Sequence, residues 1–224
     1  MASIHRSRSL RTRVAAAQAC LLGALTVSFH ASADSTIVVR DAQGQPLSGA
    51  AVAVYAPDAE PRIEHPTAIM DQKNEQFVPS FLVIRTGTDV SFPNSDQVLH
   101  HVYSFSPAKV FELPLYKGVL PSPIRFDREG IVVLGCNIHD RMIAHIWVVD
   151  APIRVLTDAS GRARIEALPE GHYRVLAWHP RAGRDGVREL DLGVGADGNG
   201  SASVDLAVAK PLAEHGALSW HDAY

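Results

Sequence analysis

A thiol, an imidazole and a thioether lie within seven residues in Gly135-Cys136-Asn137-Ile138-His139-Asp140-Arg141-Met142, at C-x2-H-x2-M spacing. The apolar run Ile131-Val132-Val133-Leu134 precedes them, so a strand would deliver a short loop aiming all three side chains at one point. Upstream, the pair His100-His101 sits inside a second strand-like run. One Cys, two His and a distant Met form the ligand set of a type 1 (blue) copper centre, in which thiolate and imidazoles make a trigonal plane and the thioether binds weakly on the axis. Zinc fits less well, because structural zinc sites use more thiolates or imidazoles and no Met. A Cys–His hydrolase would also need an oxyanion site and a group orienting the base, and no motif supplies either.

Those residues need strands to position them. Phe81-Leu82-Val83-Ile84, then Thr86-Gly87-Thr88, then Val90-Ser91-Phe92 read as short strands joined by a turn. Asn94-Ser95-Asp96 forms the loop before the histidine pair. Alternation sets His100, Val102 and Ser104 on one face of their strand and His101, Tyr103 and Phe105 on the other. Pro107 to Pro123 carries several prolines and is expected to stay outside regular sheet as a packed crossover. Ile124 to Leu134 reads as strand, turn, strand, and Ile143 to Val149 as a further strand on which His145 and Trp147 share a face. His65 and His145 are expected to be surface or sheet residues rather than ligands.

The cupredoxin family resembles this stretch in detail. The C-x2-H-x2-M loop is similar to that of amicyanin-type cupredoxins. Val90 to Asp96 followed by His100-His101-Val102-Tyr103-Ser104 looks like the segment carrying the first copper histidine. The block from about Met70 to Asp150 resembles the plastocyanin-like proteins called methylamine utilisation proteins. The resemblance implies a cupredoxin-like Greek-key β-sandwich with one type 1 copper site, its ligands His100, Cys136, His139 and the axial Met142. The family pattern runs ligand His, polar residue (commonly Asn), Val, which makes His100 the ligand and puts His101 where the Asn stands. In the family that position ties the two ligand loops together by a hydrogen bond.

Two other stretches resemble prealbumin-like (carboxypeptidase-regulatory-like) sandwiches. One is V-x-D-x-x-G-x-P-L-x-G-A-x-V from Val39, within a hairpin-like pair expected between Asp34 and Asp58; the other runs from Asp158-Ala159-Ser160-Gly161 to Leu168-Pro169-Glu170-Gly171-His172-Tyr173. Residues 151–208 alone are short for a seven-stranded sandwich. The expected organisation is therefore all-β: a discontinuous prealbumin-like sandwich from 34–58 with 151–208, a cupredoxin-like copper domain at 59–150 inserted in it, and a flexible tail at 209–224. A contiguous cupredoxin at 34–150 followed by a small β appendage is the alternative.

Residues 1–33 read as a secretory signal: Arg6, Arg8, Arg11 and Arg13, then a mostly apolar run from Val14 to Phe29, then Ala31-Ser32-Ala33. The run is short for a membrane span, and without an Arg-Arg pair general secretion is favoured over the twin-arginine route. Cleavage would remove Cys20 and leave Cys136 as the one cysteine, with 17 Lys+Arg against 24 Asp+Glu, a formal charge of −7. An exported chain with a single thiol makes no internal disulfide, so the thiol is buried, externally paired or metal-bound. The acidic balance and the lack of a Lys/Arg cluster argue against nucleic acid as a partner.

The expected function is a periplasmic electron carrier, not an enzyme, that docks briefly with a redox protein such as a dehydrogenase or a cytochrome, and has no membrane span after signal removal. A copper-binding module for delivery or storage is the alternative. A catalytic site would require Met142 to vacate a coordination position. A partner- or glycan-binding role for the prealbumin-like part has no positive residue evidence.

Overall fold

The computed structural model describes residues 34–56, 66–118 and 122–210; the predicted signal segment, His65 and nearly all of the predicted tail lie outside them. The fold is all-β. Two strands come first, β1 (Asp34–Asp41) and β2 (Ala51–Tyr55). A middle block follows: β3 (Thr67–Ile69), β4 (Asp71–Lys73), β5 (Gln76–Val78), β6 (Phe81–Arg85), β7 (Thr88–Ser91), β8 (His100–Ser106), β9 (Lys109–Tyr116), β10 (Ile124–Phe126), β11 (Gly130–Cys136) and β12 (His139–Val149). The chain closes with β13 (Ile153–Leu156), β14 (Arg162–Glu166), β15 (Gly171–Trp178), a 3-10 turn at Pro180–Ala182, β16 (Arg188–Val194) and β17 (Ser201–Leu206).

The middle block builds a five-stranded sheet, order β6-β12-β11-β8-β9, and a three-stranded one, β10-β7-β3, with β4 and β5 as a separate hairpin. Alternate residues fill the space between: Val132, Leu134 and Cys136 from β11, Ala144, Ile146 and Val148 from β12, with Phe92, Phe126 and Met70 opposite. Each large apolar side chain buried this way contributes roughly 1.5–3 kcal/mol. The first and last strands build two further sheets, β14-β1-β17 and β13-β2-β15-β16, around Ile37, Val39, Val52, Val54, Val175 and Leu192.

β2 explains how the two parts meet. Val52 and Val54 fill its own core, while Ala51 and Ala53 on the opposite face join Trp147, Val149 and Trp178 in a third apolar cluster. Small side chains on that face let the β6–β12 edge of the five-stranded sheet approach closely. At the turn before β14, Gly161 adopts φ +71°, and a Cβ there would collide with the carbonyl oxygen of Val39, so the D-x-x-G pattern is a steric requirement.

Two local expectations are corrected. β1 and β2 are not a hairpin: β1 pairs with β14 and β17, and β2 with β13 and β15. The Leu47 side chain is buried between them, turning the chain from one sheet to the other. Nor is 107–123 wholly irregular, since Lys109–Tyr116 is the strand β9. It lies at the sheet edge, where Pro114 need not donate a ladder hydrogen bond.

Candidate metal centre

The candidate residues stand where three strands end together. β11 finishes at Cys136 and β12 begins at His139, so the two-residue link Asn137-Ile138 sets thiol and imidazole side by side, in register as a pair. The ladder shifts between Gly135 and Cys136, and such an irregularity re-aims a side chain at a strand end. β8 pairs with β11 through Val102 and Cys136, which brings in His100 from 36 residues upstream. Tyr103 lies over Gly135 so closely that a Cβ at 135 would stand 2.9 Å from its ring. Glycine therefore lets the neighbouring strand close over the backbone next to Cys136.

His100 Nδ1 is 3.1 Å from His139 Nδ1, and Cys136 Sγ is 3.8 Å from the first and 3.6 Å from the second. A point equidistant from the three atoms lies about 2 Å from each, the length of a first-row metal–imidazole bond. Among the described residues no other three His, Cys, Asp or Glu side chains come together in this way. His100 is fully buried and Cys136 is 4% exposed. His139 is the outermost, with 21% of its side chain exposed. Met142, 1% exposed, belongs to the same apolar cluster as Cys136. Two imidazoles and a thiol converging on a small space, with no disulfide partner for the thiol among the described residues, fit a soft or borderline metal such as copper.

Alternation holds for the histidine pair. His100 turns inward with Val102, whereas His101 turns to the opposite face beside Tyr103 and Phe105, in a row of rings 5.8 and 5.2 Å apart. His101 Nε2 meets Glu112 Oε1 at 2.8 Å and its Nδ1 has no hydrogen-bond partner. The hydrogen bond of His101 thus runs to β9 rather than to the loop that carries Cys136 and His139. His145 packs against Trp178 at 5.8 Å, away from the cluster, and burial lowers its pKa.

Three further residues, Asp96, Glu75 and Asn94, stand around the cluster. Asp96 Oδ2 lies 3.1 Å from His100 Nε2 and accepts from the backbone N–H of Glu75 at 2.8 Å. The Glu75 N–H, then His100, holds the Asp96 carboxyl down to about 2. Glu75 Oε1 stands 4.0 Å from His139 Nε2. Asn94 donates to the carbonyls of Val98 and Tyr116 at 3.0 and 2.8 Å and accepts from the N–H of Asp96 at 2.9 Å. Beneath it Tyr116 donates to the Phe92 carbonyl at 2.6 Å and accepts from Gln72, and burial pushes its hydroxyl up to about 12. An Asp four residues before a candidate ligand is too common a pattern to single out, and Glu75 comes from a different hairpin.

A scan against protein-family models finds no match, and neither does a search of curated proteins. Among solved structures the chain is similar to a purple cupredoxin from Nitrosopumilus maritimus, at 24% identity over 38% of this chain and 99% of that one, with a TM-score of 0.33. It is similar to a reduced amicyanin variant at 17% identity, over 43% of this chain and 99% of that one, TM-score 0.34. It is also similar to native pseudoazurin from Hyphomicrobium denitrificans at 24% identity, over 37% of this chain and 74% of that one, TM-score 0.32. These three neighbours are cupredoxins, none is a prealbumin-like protein, and each likeness extends over less than half of this chain.

Proposed function

We propose that the protein is a periplasmic single-electron carrier with one type 1 copper site, held by His100, Cys136 and His139 with Met142 as a weak axial ligand. The observation that carries the reading is the convergence of the Cys136 sulfur and two Nδ1 atoms at the ends of β8, β11 and β12. Copper bound there would supply a Cu(I)/Cu(II) couple in a geometry suited to both states. The chain's part is to keep the donors in place: His100 and Cys136 are buried, and strand ends rather than a long loop carry all three. His139, the most exposed of them, is the side on which a redox partner would dock, in a small and transient contact. Asp140 and Arg141, exposed beside it, make that contact more charged.

The same reading takes residues 1–33 as an export signal and the partner as a periplasmic dehydrogenase or cytochrome. It also takes 34–58 with 151–208 as a discontinuous sandwich of prealbumin-like type around the copper domain, supported by the sheets β14-β1-β17 and β13-β2-β15-β16, which use strands from those two segments alone.

The test is the visible spectrum of the copper-loaded protein. An intense thiolate-to-copper charge-transfer band in the oxidised form, reversibly bleached by a one-electron reductant, is expected. A protein that binds Cu(I) tightly but gives no stable oxidised form would overturn the electron-carrier reading in favour of copper delivery or storage.

A further inference from the structure

The tip of the β4–β5 hairpin reaches the candidate centre: Glu75 Oε1 stands 4.0 Å from His139 Nε2, and the Glu75 N–H bonds the Asp96 carboxylate that contacts His100. Its tip, Asn74-Glu75, adopts left-handed backbone at φ 54° and 56°, which turns the Glu75 N–H toward Asp96. The hairpin cannot swing freely. Phe77 is buried in the core beside Met70, and Gln72, fully buried, donates to the Pro93 carbonyl at 3.0 Å and to Tyr116.

Asp96 divides its two oxygens between loop and site. Oδ1 accepts the Gln97 N–H at 3.1 Å, a local loop bond. Oδ2 takes both the Glu75 N–H at 2.8 Å and His100 Nε2 at 3.1 Å. An ionised carboxylate accepts only, and a neutral imidazole carries its proton on one nitrogen alone. A bond between them therefore puts the His100 proton on Nε2 and leaves Nδ1 as a lone pair, directed at Cys136 and His139. A partner behind a ligating histidine fixes ring and tautomer and raises the basicity of the ligand.

We propose that Asp96, clamped by the Glu75 backbone at the tip of the 71–78 hairpin, is a positioning residue that locks His100 as the Nε2–H tautomer and sets a fixed negative charge behind this ligand. The inference rests on the copper reading for its redox consequence, but its tautomer statement concerns the metal-free protein alone. Two results follow from the one arrangement. Nδ1 is ready as a donor, so binding requires no tautomer change at a buried ring. The charge favours the more positive oxidation state and lowers the reduction potential.

The experiment compares the wild type with Asp96→Asn, which keeps an oxygen acceptor without the charge, and Asp96→Ala, which removes both. Long-range 1H–15N spectra of the metal-free proteins report which His100 nitrogen is protonated. Chelator competition with Cu(I) reports affinity, and redox titration of the copper form reports potential. A single Nε2–H tautomer is expected in the wild type and in Asp96→Asn, and a mixture in Asp96→Ala with a ten- to hundredfold loss of Cu(I) affinity. The potential should rise in both variants. An Nδ1–H tautomer in the wild type, or unchanged tautomer and affinity in Asp96→Ala, overturns the proposal. Should Asp96→Ala fail to fold, Asp96→Asn still decides it, since an unchanged potential there removes the role of the charge. A wild type that lacks the charge-transfer band yet shows the expected tautomers would sink the electron-carrier reading and leave the positioning role standing.

Discussion

Trp178 on β15 meets Trp147 on β12 with ring centroids 6.0 Å apart, and this contact fastens the outer sheets to the sheet that carries Cys136 and His139. Trp178 is fully buried, packs edge-on to Phe81 at 5.3 Å, and donates its indole N–H to the Gly183 carbonyl at 2.7 Å. Truncating it would leave a cavity and an orphaned carbonyl together. Trp178→Ala is expected to cost about 3–5 kcal/mol in chemical denaturation. A loss under about 1 kcal/mol would mean that the seam holds little of the stability.

His179 gives a pH dependence with a definite sign. Burial, and then the nearby Arg181 charge, push its pKa from 6.5 down to about 4, while its Nδ1 accepts the Arg181 N–H at 3.0 Å. The unfolded chain therefore takes up a proton that the folded one refuses, and stability falls as pH drops from about 6.5 to 4. His179 is only partly buried, so after solvent screening the effect is on the order of 1 kcal/mol. Urea midpoints of the metal-free protein measured across that range should decline, and His179→Gln should flatten the slope. An identical slope in the variant would assign the acid lability elsewhere.

The two adjacent histidines should behave differently. His100→Ala removes an inward donor and is expected to cost more copper affinity than the ~10–100-fold that follows loss of a partner behind a ligand. His101→Ala breaks the contact with Glu112 on the other face and should leave affinity within a few-fold of the wild type. The reverse order would mean that the register of β8 at the site is off by one.

Met142 should tune rather than hold. An axial donor stabilises the oxidised state more strongly the harder it is, so a weak thioether lowers the potential a little without being required for binding. Met142→Leu is expected to keep copper and the charge-transfer band with a raised potential, and Met142→Gln, with a harder oxygen donor, to lower it. Spectra and redox titration of both variants check this; unchanged potentials in both would remove the axial role.

Much of this was written in local sequence. Period-two alternation alone turns His100 inward and His101 outward, because successive strand side chains point to opposite faces. The spacing of Cys136 and His139 around a two-residue link leaves them little choice but to be neighbours, and their chemical types suit a soft or borderline metal. The all-β character follows from short β-branched runs between turn residues.

Other features came only with tertiary structure, because their partners are distant in sequence and chosen by which faces bury what. The pairing of β8 with β11 brings His100 to Cys136, and no local pattern states it. β1 and β2 read as a hairpin, yet Ile37 and Val39 face Val52 and Val54 across a core instead of pairing beside them. β9 is a strand despite Pro114 because it falls at an edge, a property of the sheet and not of the segment. Glu75 meets Asp96 and His139 from a separate hairpin, which buried Phe77 and Gln72 anchor. The candidate donor residues could be read from the chain; the groups that stand behind them are set by packing.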